Sequence, residues 1–105
     1  MLRYVTTKLS VLAGGDTQAV ILHVPPGETY TLKGFGTENV NGYLLRCVIG
    51  EDQIAKVWTN LKYGPASLFP LDAEVTGPEN VIVGIQDVGG GARSMYVVLA
   101  YDDGK

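Results

Sequence analysis

The stretch 80–101, N-V-I-V-G-I-Q-D-V-G-G-G-A-R-S-M-Y-V-V-L-A-Y, constrains this chain more than any other. Two runs of β-branched and aromatic residues flank Asp87-Val88-Gly89-Gly90-Gly91-Ala92-Arg93, a pattern that predicts a hairpin with a long, glycine-bearing loop. Side chains alternate along a strand, so Met95, Val97, Leu99 and Tyr101 share one face, and Ser94, Tyr96, Val98 and Ala100 the other. In the first run Val81, Val83 and Ile85 oppose Ile82, Gly84 and Gln86. An antiparallel strand with one wet face alternates apolar with polar residues, and these runs do not. The expectation is a hairpin covered on both faces, once by the chain's own second sheet and once by another subunit. Val83, Ile85, Met95, Tyr96, Val97, Val98, Leu99 and Tyr101 are therefore the candidate oligomer-interface residues.

The rest of the chain punctuates itself as strands. The segments 2–12, 19–24, 29–37, 43–49 and 53–59 are rich in β-formers. They are separated by Ala13-Gly14-Gly15-Asp16, Pro25-Pro26-Gly27, Asn39-Val40-Asn41-Gly42 and Gly50-Glu51-Asp52. Asn-Gly at 41–42 is a strong hairpin signal, and 43–49 with 53–59 reads as a second hairpin. Gly34 and Gly36 around Phe35 predict a bulge or a close backbone approach. Leu68-Phe69-Pro70-Leu71 holds a proline, so it is an edge strand or no strand, and 73–76 is a short strand at most. No stretch has sustained helical periodicity. The fold class that follows is all-β: an antiparallel two-sheet sandwich of eight strands, nine at most, jelly-roll-like, in a single domain spanning 1–105.

Composition narrows the function. Charged residues are 18% of the chain, below the roughly 25% of ordinary soluble domains, which fits a surface partly buried against partners. The net charge is -3 and no two basic residues are adjacent, which argues against nucleic acid as a partner. The opening residues lack the long apolar core of a signal peptide, and no apolar run is long enough to span a bilayer. The expectation is synthesis in a reducing cytoplasm and no membrane partner. Cys47 is the only cysteine and sits mid-strand, where it reads as a small buried hydrophobe, with an intermolecular disulfide or a reactive thiol as the alternative.

The chemistry-bearing residues are sparse. His23 is the only histidine, and one histidine cannot build a cupin-type metal site. Neither His23 nor Cys47 lies in a nucleophile turn, so no enzyme activity, catalytic residue, metal or cofactor is expected. Gly89-Gly90-Gly91 lacks the following helix that makes a phosphate cradle, and reads as a flexible hairpin tip. Carboxylates gather at turns, where solvation explains them, although a calcium at a subunit interface stays open. Trp58 and Tyr63 border the 60–67 loop. They anchor a core or subunit contact, or they form a sugar-stacking platform, the alternative in which the protein is a carbohydrate-binding module.

The stretch Val24-Pro25-Pro26-Gly27-Glu28-Thr29-Tyr30-Thr31-Leu32, with the closing Asn-Val-Ile-Val and Tyr-Val-Val-Leu-Ala-Tyr runs, resembles small β-sandwich virion proteins of tailed phages and related viruses. These are head-decoration, minor capsid or tail proteins. The resemblance implies a structural virion subunit, a capsid decoration or minor capsid protein. Such a subunit would form a homo-oligomer, commonly a trimer, and bind other virion proteins such as the major capsid protein through apolar strand faces. The sequence has no heptad stretch of the kind that builds a fibre stalk, and head, tail and spike positions all stay open.

Overall fold

A computed structural model describes residues 1–60 and 68–105. Eight strands carry the described chain: β1 (Leu2–Val11), β2 (Asp16–His23), β3 (Thr29–Thr37), β4 (Tyr43–Ile49), β5 (Asp52–Trp58), β6 (Phe69–Thr76), β7 (Asn80–Asp87) and β8 (Arg93–Asp102). They form two antiparallel four-stranded sheets in the orders β1-β8-β3-β6 and β2-β7-β4-β5. This is a jelly-roll order, in which successive strands keep crossing from one sheet to the other.

The interior is built from the alternation already visible in the sequence. Leu32, Phe35, Val97 and Leu99 from the first sheet meet Leu45, Cys47, Val81, Val83 and Ile85 from the second, and all are buried. Phe35 and Phe69 close one side of the core edge to face, with centroids 5.8 Å apart. Full burial of side chains of this size is worth about 1.5–3 kcal/mol each, the main term holding the two sheets together.

The stretch 80–101 is not a hairpin. β7 pairs with β2 and β4, whereas β8 pairs with β1 and β3 in the opposite sheet. The two runs face one another across the core instead of bonding side by side. Both patterns are the same in sequence, because an inward-facing apolar row looks alike whether its neighbour is beside it or across from it. Asn41-Gly42 likewise joins strands of different sheets, and so does the turn at 12–15. Only β4 and β5 form the tight hairpin that was expected, with Leu45 opposite Val57. Residues 69–76 make one continuous edge strand despite Pro70, which is tolerated there because an edge need not donate every N–H. The expected irregularity in β3 is present: its register shifts between Leu32 and Gly34 against both neighbours.

The topology gathers the loops at two ends. Loops 12–15, 38–42 and 88–92, with Thr59 and Asn60 just after β5, lie at one end. The β2–β3, β4–β5 and β6–β7 connections lie at the other, beside both chain ends. There the N–H of Gly77 donates to the carbonyl of Glu28 at 2.9 Å, and Pro26 and Gly77 form a parallel bridge.

Candidate functional site

The first end is organised by one buried carboxylate. Asp87 closes β7, and its Oδ1 accepts hydrogen bonds from the backbone N–H groups of Gly89 (3.0 Å), Gly90 (2.8 Å) and Gly91 (3.1 Å). Its Oδ2 accepts from the N–H of Gly14 at 2.7 Å. Only glycine supplies this loop readily, because Gly89 and Gly91 have φ of 122° and 86°. Gly90 meets a different demand: a Cβ there would run into the Tyr43 ring. The three glycines are thus no free hairpin tip. Successive N–H groups do converge as in an anion-binding nest, and the chain's own carboxylate fills it. The hydrogen bond from Gly14, followed by those from the glycine loop, holds the Asp87 carboxyl below the usual carboxylate range.

Around this clamp the other loops are fixed by backbone-directed bonds. The Tyr43 hydroxyl donates to the carbonyl of Gly91 at 2.8 Å, and the Thr59 hydroxyl donates to that of Val40 at 2.6 Å. The N–H of Val88 donates to Gly42 O at 2.8 Å. Beside them opens a cleft of about 460 Å³ lined by Asn39, Val40, Asn41, Tyr43, Asn60, Gly90 and Arg93. Arg93 is held by Glu38 at 3.1 Å. Asn39, Asn41 and Asn60 come from two segments far apart in the chain, and no single-strand pattern could have joined them.

The candidate interface residues divide. Val83, Ile85, Met95, Val97 and Leu99 are fully buried inside the chain's own core, so in this fold they offer nothing to a partner. Their inward direction follows from both sheets needing one apolar face each. Tyr96 points outward and is 58% exposed, with the ammonium of Lys8 5.9 Å from its ring centre. Val98 is half-buried on the same outer face. Tyr101 is half-buried and stacks on Tyr30 with centroids 5.3 Å apart. Trp58 lies on the outer side of edge strand β5 and is 47% exposed. Tyr63 lies outside the described residues.

The outer face of the second sheet can be read row by row from its register. One row is Asp16, Gln86, Leu44 and Trp58; the next is Gln18, Gly84, Arg46 and Lys56; the third is Val20, Ile82, Val48 and Gln53. Arg46 lies flat over Gly84, where a Cβ would collide with its guanidinium. It pairs with Asp16 at 2.7 Å and donates to Gln18 at 2.9 Å. Val20, Ile82 and Val48 on one side of it and Leu44 and Trp58 on the other form the apolar ground of this sheet, with Val20 51% and Trp58 47% exposed. Sequence reading missed this surface because it weighed β7 and β8 as one ribbon.

His23 is exposed at the far end of β2 and donates from Nδ1 to Asn80 Oδ1 at 2.6 Å. No group of three or more His, Cys, Asp and Glu side chains gathers as a metal site among the described residues. Cys47 is fully buried, and that burial pushes its thiol up to about 12. Thiol reagents at neutral pH should therefore label Cys47 only as fast as the whole chain unfolds, read by mass spectrometry against denaturant concentration. The sign at high pH follows too. Above about 8.5 the unfolded chain ionises its thiol and the folded one does not, so this group favours unfolding as pH rises from there.

No protein-family model matches the sequence, and comparison with curated proteins finds no relative. Among solved structures, the chain is similar to a subunit of Bacillus endospore appendages, disulfide-linked pili, at 11% identity over 96% of this chain and 84% of that one, with a TM-score of 0.47. It is similar to the nucleoplasmin-like N-terminal domain of Drosophila FKBP39 at 10% identity, over 97% and 91% of the two chains, with a TM-score of 0.45. It is also similar to a chain of infectious bursal disease virus, Gx strain, at 16% identity and a TM-score of 0.43. That match covers 99% of this chain and 32% of the viral one.

Proposed function

We propose that the chain is a structural subunit that works by surface association: a virion protein of the capsid decoration or minor capsid kind, self-associating as a homo-oligomer. One observation carries the reading. The outer face of β2-β7-β4-β5 presents Val20, Ile82 and Val48 on one side of the pinned Arg46, and Leu44 and Trp58 on the other. Apolar side chains clustered on one outward sheet face mark association surfaces, here in two groups flanking a polar row, whereas single exposed hydrophobes do not. These side chains are already partly covered, so each gains less than the roughly 1.5–3 kcal/mol of complete burial, and several must be covered together. The reading requires no catalytic group and no cofactor.

Light scattering coupled to size exclusion tests it. The expected result is a discrete oligomer, with a trimer the first expectation, that shifts toward monomer in Val20→Lys/Trp58→Lys by at least roughly 100-fold in dissociation constant, about 2.7 kcal/mol. A monomer persisting to high micromolar concentration would remove the self-association. For the virion role, mass spectrometry of purified particles from the source should find the chain in stoichiometric amounts with the major capsid protein, and its absence there would overturn that role.

A further inference from the structure

We infer that the cleft between the 38–42 loop, the end of β5 and the start of β8 binds a neutral, polyhydroxylated ligand, a sugar unit, through the carboxamides of Asn39, Asn41 and Asn60. The cleft, of about 460 Å³, is in the range of small-ligand sites and large enough for one or two sugar rings. Its chemistry selects by elimination. An anion finds little net attraction: Arg93 keeps N–H donors to spare, but its charge is offset by Glu38 at 3.1 Å, and the glycine nest is filled by Asp87. A cation finds no carboxylate among the described lining residues. An apolar ligand would strip water from three carboxamides without replacing their hydrogen bonds.

What remains matches a set of vicinal hydroxyls. Each carboxamide offers two N–H donors and one acceptor oxygen, and a hydroxyl both donates and accepts. None of the three carboxamides is engaged by another side chain or backbone group among the described residues. The walls that carry them are already fixed. Val40, between Asn39 and Asn41, is held through its carbonyl by Thr59, the residue before Asn60, and the Tyr43 hydroxyl at the floor is spent on Gly91. Such preorganisation reduces the ordering cost of binding. The Tyr43 ring is buried, so it gives no stacking platform, and the affinity falls in the millimolar range typical of a few hydrogen bonds alone. This site is separate from the Trp58 surface on the outer sheet face.

The experiment is an NMR titration of the ¹⁵N-labelled full chain with glucose, galactose, mannose and N-acetylglucosamine to tens of millimolar, with sodium sulfate as the anion probe. The expected result is saturable movement of the Asn39, Asn41 and Asn60 side-chain amide signals with at least one sugar and none with sulfate. Asn60→Ala and Asn41→Ala should each weaken that binding tenfold or more while leaving the backbone spectrum folded, and Trp58→Ala should leave it unchanged. No saturable shift with any of the four sugars, equal shifts with sulfate, or binding lost in Trp58→Ala and kept in Asn60→Ala would overturn the inference.

Discussion

Asp87→Ala should lower the melting temperature by on the order of 10 °C, a larger loss than any other single polar substitution at the loop end. The reason is arithmetic on donors. The carboxylate satisfies four backbone N–H groups, those of Gly14, Gly89, Gly90 and Gly91. Removing it leaves donors converging on an empty point in a part-buried site, which costs more than the bonds themselves were worth. Asp87→Asn should rescue only part of the loss, because its amide nitrogen turns one acceptor into a donor that faces Gly14 or the glycine loop. The same geometry sets a pH dependence. A carboxyl held below its usual value contributes stability that is complete above about pH 4, where the unfolded carboxyl is ionised, and that drains away as pH falls through the folded value. Wild type should therefore lose stability more steeply below about pH 4 than Asp87→Ala does. Asp103, which the Arg3 guanidinium holds far below the usual range, leaves a residual slope in both proteins. Thermal melts at a series of acidic pH values read both effects; equal slopes in the two proteins would contradict the clamp.

Gly77→Ala should be among the most damaging small substitutions in the chain, and Gly84→Ala, also at a crowded glycine, should cost clearly less. Both glycines have neighbours where a Cβ would sit, but the neighbours differ. At Gly77 the methyl would enter the backbone of Val24 and Pro25, and Gly77 is tied there through its N–H to Glu28 and its bridge to Pro26. Backbone cannot step aside without breaking these bonds, so overpacking should cost at least about 1–3 kcal/mol. At Gly84 the obstacle is the tip of the Arg46 side chain, which can swing away at the expense of its ion pair with the half-exposed Asp16 and its hydrogen bond to Gln18, although Arg46 itself is only 13% exposed. Fully exposed pairs are worth about 0–1 kcal/mol, and this one, covered on the Arg46 side, sits at or above the top of that range. Denaturant midpoints of the two variants decide the matter. A Gly84→Ala loss as large as that of Gly77→Ala would mean that Arg46 cannot leave its place over the sheet.

Much of this protein was legible residue by residue. Alternating apolar residues named the strands, glycine pairs and prolines placed their ends, and the Gly34–Gly36 spacing foretold the bulge in β3. The β4–β5 hairpin was legible as well, because the two residues between its strands, Gly50 and Glu51, are too few to carry the chain across to the other sheet. These are local matters, fixed by side-chain shape and backbone freedom within a few residues. Strand pairing is not local. Val83 and Val97 alternate identically whether β7 and β8 lie side by side or on opposite sheets, and only the closing of two sheets over one core decides that they lie opposite. That decision turned most of the expected interface residues into core and moved the outward apolar ground to Val20, Leu44, Val48, Trp58 and Ile82. It also brought Asp87 to Gly14, and Asn60 to Asn39 and Asn41, across separations that no sequence window spans. The strands were determined by alternation along the chain; the clamp and the cleft exist only because the jelly-roll order stacks their loops at one end.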